Sequence, residues 1–310
     1  MMTQHLKKTA RNYTRLFHKK EIMTKEEQVK YKEILVKTFS QFIRICEENN
    51  LQYFCAGGTI IGAVRHKGLI PWDDDIDVFM PREDYERFKT VGNMYDGYKA
   101  IFPTNCNRVS VFGKFYDCNT TLWELEQIPF VYGIYVDIFP LDETNDNESG
   151  FLRKYKRLRK LQRLYQLAQY KPSFSNFVSS IKSGDKKQIA KNFLSLLVPS
   201  ILIKKYRDDI ISFEKHISNA PVGTHYASYF GDYWNKEFLE REWFDDYVEV
   251  PFENINVRLC KGYKQYLTRI YGDYMQLPPK EKRVSHHYHY YLNMDKGMTL
   301  EEVKEEMKKK

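Results

Sequence analysis

Three aspartates in a row and a fourth two places on occupy the run Trp72-Asp73-Asp74-Asp75-Ile76-Asp77-Val78. Burying that much like charge is costly unless a cation neutralises it. Apolar Ile76, Val78 and Phe79 among and after the acids indicate a strand entering a core rather than a solvated acidic loop. Alternation along a strand puts Asp75 and Asp77 on one face, with Ile76 and Val78 on the other. Paired carboxylates on a rigid strand are hard oxygen ligands for Mg²⁺ (or Mn²⁺), of the kind that holds the ion against substrate phosphates. The residues therefore point to a metal-dependent enzyme acting on a phosphate compound. The plainer reading of the same acids is a calcium-stabilised loop or a set of helix caps.

A glycine turn, Cys55-Ala56-Gly57-Gly58-Thr59, precedes the acids by about one short helix. Backbone N–H groups of Gly57 and Gly58 at a helix start, with no side chain to obstruct approach, suit a phosphate. Around these residues the pattern predicts alternating elements. Thr24-Lys25-Glu26-Glu27 has capping-box spacing, and Tyr31, Ile34, Leu35, Thr38, Phe42, Ile45 and Cys46 recur at helical spacing up to Asn49-Asn50. A short strand follows over 51–56, a helix over 59–65, the acidic strand over 75–80 and a helix over 82–94. Strands at 99–102, 109–116 and 132–139 complete a mixed sheet, so the fold class is α/β (α+β) with surrounding helices. Beyond residue 150 the pattern turns helical and basic, over 151–170, 186–203 and 204–218. An aromatic, irregular stretch follows at 226–240, then a strand over 249–257 and a helix over 260–271. The charged tail after Met298 reads as a segment that frays. These shifts divide the chain into a basic N-terminal extension (1–23), a catalytic core (24–150), a basic helical insertion (151–220), a C-terminal part completing the site (221–298) and the tail (299–310).

Composition narrows the class. The chain has 310 residues, 42% hydrophobic and 15% aromatic, with 24 Tyr and 20 Phe to fill a core, so disorder is expected only at the ends. Five cysteines, an odd number with no C-x-x-C pair, support neither a disulfide framework nor a thiolate zinc site, and fit a reducing cytoplasm. The stretch from Met1 to Glu21 has no apolar core of a secretory signal, and nowhere do eighteen apolar residues run together. Net charge is +8, but residues 151–215 alone carry 16 Lys or Arg against 4 Asp or Glu, leaving about −4 on the rest. Arg153, Lys154, Lys156, Arg157, Arg159, Lys160 and Arg163 surround Leu158, Leu161 and Leu164, and the apolar run Phe193–Ile203 is flanked by Lys191, Lys204 and Lys205. That pattern fits either an anionic membrane surface or packing in the core. Nucleic acid is not expected, because no reading motif accompanies the charge. His286, His287 and His289 are too loosely spaced, with no cysteine near, to read as a zinc site.

The twenty residues Gly58-Thr59-Ile60-Ile61-Gly62-Ala63-Val64-Arg65-His66-Lys67-Gly68-Leu69-Ile70-Pro71-Trp72-Asp73-Asp74-Asp75-Ile76-Asp77 closely resemble the signature of the LicD family. This family comprises bacterial phosphocholine transferases and fukutin-type relatives. The resemblance continues in Tyr135-Val136-Asp137-Ile138-Phe139-Pro140-Leu141 and Val250-Pro251-Phe252-Glu253-Asn254. It returns in Tyr271-Gly272-Asp273-Tyr274-Met275, Leu277-Pro278-Pro279 and Lys282-Arg283 before His286 and His289. It covers roughly residues 25 to 292 and is far more specific than a lone D-x-D.

The resemblance implies a nucleotidyltransferase-like fold, a divalent metal and a CDP-linked donor, CDP-choline first among them. The product would be a phosphocholine or similar alcohol phosphate on a sugar hydroxyl of a lipopolysaccharide or teichoic-acid precursor, lipid-linked or free, with release of CMP. It implies Asp75, Asp77 and Asp137 as catalytic and metal-binding acids, with Asp137 the leading choice for general base. Alternation with Val136 and Ile138 aims Asp137 at the pair; its plainer role is an acid at a strand edge. Asp73 and Asp74 read as acids that shape the turn or hold outer-shell water. Donor and phosphate contacts fall to Gly57, Gly58, Thr59, Arg65, His66, Trp72, Lys114, Arg283, His286 and His289. Trp72 either stacks on the base or packs against its loop, and His287 reads as a packing residue. Enzyme action is expected in the cytoplasm, on the inner face of the membrane. The alternatives are a glycerol- or polyol-phosphate transferase of the same family, or a D-x-D nucleotide-sugar glycosyltransferase. A metal-stabilised adaptor at the membrane is the non-enzymatic one.

Overall fold

The computed structural model describes residues 23–105, 111–218, 223–285, 287 and 289–309. The expected N-terminal extension up to residue 22, the start of the expected 109–116 strand and His286 lie outside them. Helix α1 (Lys25–Glu48) opens as the spacing predicts. The Thr24 hydroxyl accepts from the Glu27 amide (3.2 Å), and the Glu27 carboxylate accepts from the Thr24 amide (2.7 Å). Its inward face, Leu35, Phe39, Phe42, Ile45 and Cys46, is fully buried. Each large apolar side chain withdrawn in this way contributes roughly 1.5–3 kcal/mol. The helix ends at Asn49.

That face covers a mixed sheet. Its strands are β1 (Phe54–Cys55), β2 (Asp77–Pro81), β3 (Tyr98–Ile101), β4 (Gly113–Asp117) and β6 (Tyr135–Thr144), in the order β1-β2-β6-β4-β3. Between β1 and β2 lies the short helix α2 (Gly57–Ile61), which runs into a π-turn at Gly62–His66; α3 (Arg82–Val91) follows β2, and β5 (Thr121–Trp123) follows β4. β2 and β6 run parallel with Asp77 beside Asp137, while β4 is antiparallel to β6 with Lys114 beside Asp137. Three charged residues thus occupy one rung across the centre of the sheet. Two sequence expectations shift here. The strand predicted over 51–56 shrinks to two residues, and the acidic strand starts at Asp77, so Asp75 sits in the loop before it.

The basic insertion holds α4 (Glu148–Gln169), α5 (Phe174–Ser183), α6 (Lys186–Leu197) and α7 (Leu202–Ser218). The expected helix 186–203 breaks after Leu197 because Pro199 disfavours helical geometry at Val198. Phe151, Tyr155, Leu158 and Tyr165 of α4 join Ile210, Phe213 and Ile217 of α7 in a second core. The cations of α4 are largely engaged at home: Lys154 pairs with Asp146 (2.6 Å), Arg159 with Asp232, and Arg157 and Lys156 stand over the rings of Phe213 and Trp234. Core packing therefore claims α4. Its remaining exposed charge lines a cavity of about 450 Å³ formed by Lys156, Arg159, Lys160, Arg163, Leu164 and Trp234.

The aromatic stretch expected to be irregular contains β7 (His225–Ala227) and β8 (Phe238–Glu240), which extend the sheet from the far half of β6. The hairpin β9 (Tyr247–Phe252) and β10 (Ile255–Cys260) and helix α8 (Tyr263–Tyr271) follow. Near the end, β11 (Tyr291–Asn293) pairs with β5. The tail expected to fray instead forms α9 (Leu300–Lys309). Thr299 and Glu302 cap it, and Val303 is fully buried in a small cluster with Trp123 and Tyr291. Leu300 and Met307 pack against the same cluster, and Glu306 accepts from the Tyr291 hydroxyl (2.9 Å), so one face of the helix docks it.

Candidate active site

The acidic loop is built by its neighbours. Ile76 is fully buried and its carbonyl accepts from the Asp137 amide (2.8 Å), so the β2–β6 ladder begins one residue before β2 does. Tyr31 of α1 donates its hydroxyl to the Asp74 carbonyl (3.1 Å). The Thr59 hydroxyl accepts from the Asp77 amide (2.8 Å), making Thr59 a support of the acidic strand. Gly57 has φ +52°, and a β-carbon there would stand 2.7 Å from Asp77 Oδ2; one at Gly58 would stand 2.7 Å from Asp73 Oδ2. The glycine pair is needed because two carboxylates lie against it. The Gly57 amide itself donates to the Tyr266 hydroxyl (3.3 Å).

Electrostatics show how closely the acids converge. Burial, with repulsion from Asp75, Asp137 and Asp73, raises Asp77 well above the usual carboxylate range. Burial and then Asp75 push Asp73 up to about 8. Asp137 is raised to about 6: burial lifts it, Lys114 opposes, and Glu124 and Asp75 add to the rise. Lys114 Nζ donates to Asp137 Oδ1 (2.6 Å) and stands 3.5 Å from the Tyr135 ring centre. Its charge is directed at an acid, whereas the sequence suggested a phosphate. Asp74 behaves oppositely. Burial would raise it, but hydrogen bonds and charge from His287, with Ser285, bring it down to about 2.

His287, read from sequence as packing, is a clasp. Its Nδ1 lies 2.9 Å from Asp74 Oδ1 and its Nε2 3.5 Å from Asp75 Oδ2. Burial would lower its pKa, but Asp75 and Asp74 outweigh it and raise it well above the ordinary value, so the ring stays charged. Among the described residues, Asp74, Asp75 and His287 also offer ligand atoms within 4.8 Å of one another, a grouping that could hold a metal ion and that differs from the expected Asp75, Asp77 and Asp137. His289 stacks on Tyr31 at 5.3 Å. The loop before β11 therefore returns to the acids as expected, although His286 lies outside the described residues. Glu124 was missed altogether. It follows β5, accepts from Tyr132 and from Tyr135 (2.6 Å), and adds negative charge near Asp137 and Lys114. An acid directly after a three-residue strand carried no signal of its own. Asp74 did, by its place in the run.

Beside the acids, starting at Trp72, cations gather. Arg65 donates to the carbonyls of Tyr274 (2.8 Å) and Gln276 (3.3 Å) and to His66 Nε2 (3.0 Å). Arg283 stands over the Trp72 ring at 5.5 Å, and His66 meets the same ring edge-on at 5.9 Å. Burial and then Arg283 lower the Arg65 pKa, while burial, Arg65 and Lys32 lower His66. Two guanidiniums held this close form a place where an anion is welcome, and His66, its pKa lowered, accepts from Arg65. The structure thus brings Arg65, His66, Trp72 and Arg283 together, separate from the carboxylates that gather Gly57, Gly58, Thr59 and Lys114. Glu253, at the turn between β9 and β10, holds the connecting loop by accepting from the Leu69 amide (2.9 Å).

Residues 50–170 match the LicD/FKTN/FKRP nucleotidyltransferase domain family. Over 277 residues the chain is 30% identical to the lipopolysaccharide cholinephosphotransferase LicD of Haemophilus influenzae, covering 86% of this chain and 97% of that one. The protein belongs to the LicD family. Shorter matches, 33% and 30% identical over 118 residues and 35% of this chain, reach uncharacterized proteins of Rickettsia typhi and Rickettsia prowazekii. In this LicD-family chain the matched domain spans Asp75, Asp77, Lys114, Glu124 and Asp137. Arg283, His287 and His289 come from beyond it, yet the Haemophilus match extends over nearly the whole relative.

Proposed function

We propose that this protein transfers phosphocholine, or a similar alcohol phosphate, from a CDP-linked donor to a hydroxyl of a cell-surface glycan precursor and releases CMP. CDP-choline is the leading donor, because the near full-length Haemophilus relative is a lipopolysaccharide cholinephosphotransferase. The observation that carries the reading is Asp77 and Asp137 side by side on one rung of the sheet, with Asp75 close enough to raise the pKa of both. The carboxylates offer only hard oxygen donors, and burial with repulsion from Asp75 raises Asp77 and Asp137, which fits Mg²⁺ or Mn²⁺ held by Asp75, Asp77 and Asp137. Such an ion would supply charge neutralisation at the diphosphate oxygens.

The chain's own residues supply the rest. Arg65 and Arg283, with His66, hold the diphosphate, and Trp72 offers a ring face to the donor. The acceptor oxygen forms a bond to the phosphorus nearest the alcohol, and the bond from that phosphorus to the bridging oxygen breaks, so CMP leaves with the bridging oxygen. The acceptor proton passes to Asp137, whose carboxylate Lys114 keeps oriented. The reaction is placed in the cytoplasm at the inner face of the membrane, where lipid-linked glycan precursors would be met. No helix among the described residues is long and apolar enough to cross a membrane.

Identifying the nucleotide product tests the reading. Donor, Mg²⁺ and an oligosaccharide acceptor should yield CMP. UDP from a nucleotide sugar, CDP, or pyrophosphate from a triphosphate would overturn it, and turnover with CDP-glycerol or CDP-ribitol but not CDP-choline would reassign the alcohol.

A further inference from the structure

Helices α5 and α6 form a hairpin packed the wrong way round for a protein in water. The fully buried positions are all polar: Asn176 and Ser180 on α5, and Gln188, Asn192 and Ser195 on α6. They satisfy one another. Gln188 Nε2 donates to Asn192 Oδ1 (2.7 Å) and to the Tyr170 hydroxyl (2.6 Å), and Asn192 Nδ2 donates to Ser180 Oγ (3.2 Å). Gln127 and Glu126 anchor Asn176 from the core side. The outward positions are large and apolar: Phe174 is 84% exposed, Leu197 76%, Leu196 63%, Ile181 61% and, just past the hairpin, Ile201 84%. Scattered exposed leucines need no explanation, but a contiguous apolar face over a polar seam does.

We propose that this face is a membrane-docking surface, lying in the headgroup layer of an anionic bilayer without crossing it. Charge chooses lipid over another partner. Residues 171–207 hold eight Lys or Arg and a single acid, Asp185. That acid is already used, accepting from the Lys187 and Gln188 amides as the cap of α6. Lys182, Lys186, Lys187, Lys204 and Lys205 are exposed on the same segment as the apolar side chains. A second copy would bring this positive charge against itself, whereas an anionic headgroup layer complements it. The polar seam has a physical purpose in this setting: it holds the two helices together by hydrogen bonds while Phe174, Ile181, Leu196 and Leu197 stay free to face the acyl boundary. The inference deepens the proposed function, since it would bring the acidic site to a lipid-linked acceptor, but its structural basis does not depend on that chemistry.

Flotation of the full-length protein with phosphatidylcholine vesicles, with and without phosphatidylglycerol, tests it. Wild type should float with the anionic vesicles and lose that binding in high salt. The variant Phe174→Ser/Leu196→Ser/Leu197→Ser changes exposed positions only, so it should keep the wild-type melting temperature while binding falls roughly tenfold or more. A variant that floats as well as wild type overturns the proposal. So does a wild type that is dimeric in solution and made monomeric by the same substitutions, because the face is then a protein interface. Transfer by the variant to a soluble oligosaccharide acceptor separates the two readings. Loss of flotation with transfer intact supports docking, and flotation without transfer by any form leaves docking standing while the proposed function fails.

Discussion

The acidic pocket and the α5–α6 hairpin break the inside–outside rule in opposite directions. One buries charge: Asp137 is 6% exposed and Asp74 7%, with Asp73, Asp75 and Asp77 close by. The other exposes Phe174, Leu196 and Leu197 above a buried seam of amides. Between them α4 obeys the rule, with Phe151, Leu158 and Tyr165 inside and its cations outside. Each is unfavourable for the isolated chain, and the proposed cation and diphosphate would relieve the one as the proposed lipid surface would relieve the other.

The largest effect should come from breaking the pocket. Asp77→Asn removes one of several mutually repelling carboxylates. Transfer should fall by about three orders of magnitude or more, while the metal-free protein keeps or raises its melting temperature. Mg²⁺ should stabilise wild type and leave the variant unmoved in a thermal-shift assay, by mass action. Near-normal turnover in Asp77→Asn at low Mg²⁺ would mean that the buried charge serves structure alone.

A paired stability measurement then sharpens the contrast between α4 and α6. Leu158 is fully buried, so Leu158→Ala should cost about 2–5 kcal/mol in urea unfolding. Leu197→Ser on the exposed face should stay within about 0.5 kcal/mol. Equal losses at both sites would show that α6 is buried in solution after all.

The smallest effect concerns a buried acid away from the pocket. Glu214 on α7 sits near Arg82, whose guanidinium is bidentate to Asp142 (2.7 and 2.9 Å). Burial, opposed by Arg82, pushes Glu214 up to about 7. The folded protein then binds this proton more tightly than the unfolded chain, whose carboxyl titrates near 4.5. Its contribution is fully present below about pH 4.5 and is lost as pH rises through 7. The gap corresponds to at most about 3 kcal/mol. Glu214→Gln should flatten the fall of unfolding free energy between pH 5 and 8. An unchanged slope would mean that Arg82 keeps Glu214 ionised throughout.

Local pattern was enough for α1, with its capping box and apolar stripe, for the strand–turn–helix–acid order around Gly57 and Asp77, and for the resemblance that marks the chain as a LicD-family member. These depend on neighbours a few residues apart, where side-chain type and backbone preference act directly. The same pattern left α4 open between membrane and core, missed α5, and left the tail to fray. Each is settled by a partner distant in sequence: α7 and Trp234 for α4, Gln127 and Glu126 for α5, and β5 for the tail. The site divides likewise. The acids could be named from their run, but which of them bears a clasp, which pairs with lysine and which is crowded into protonation depends on His287, Lys114 and Glu124. Those groups reach the acids only when β4 pairs with β6, and β11 with β5. Coulomb energy and desolvation depend on distance in space, and a linear order of residues does not contain that distance until the chain has folded.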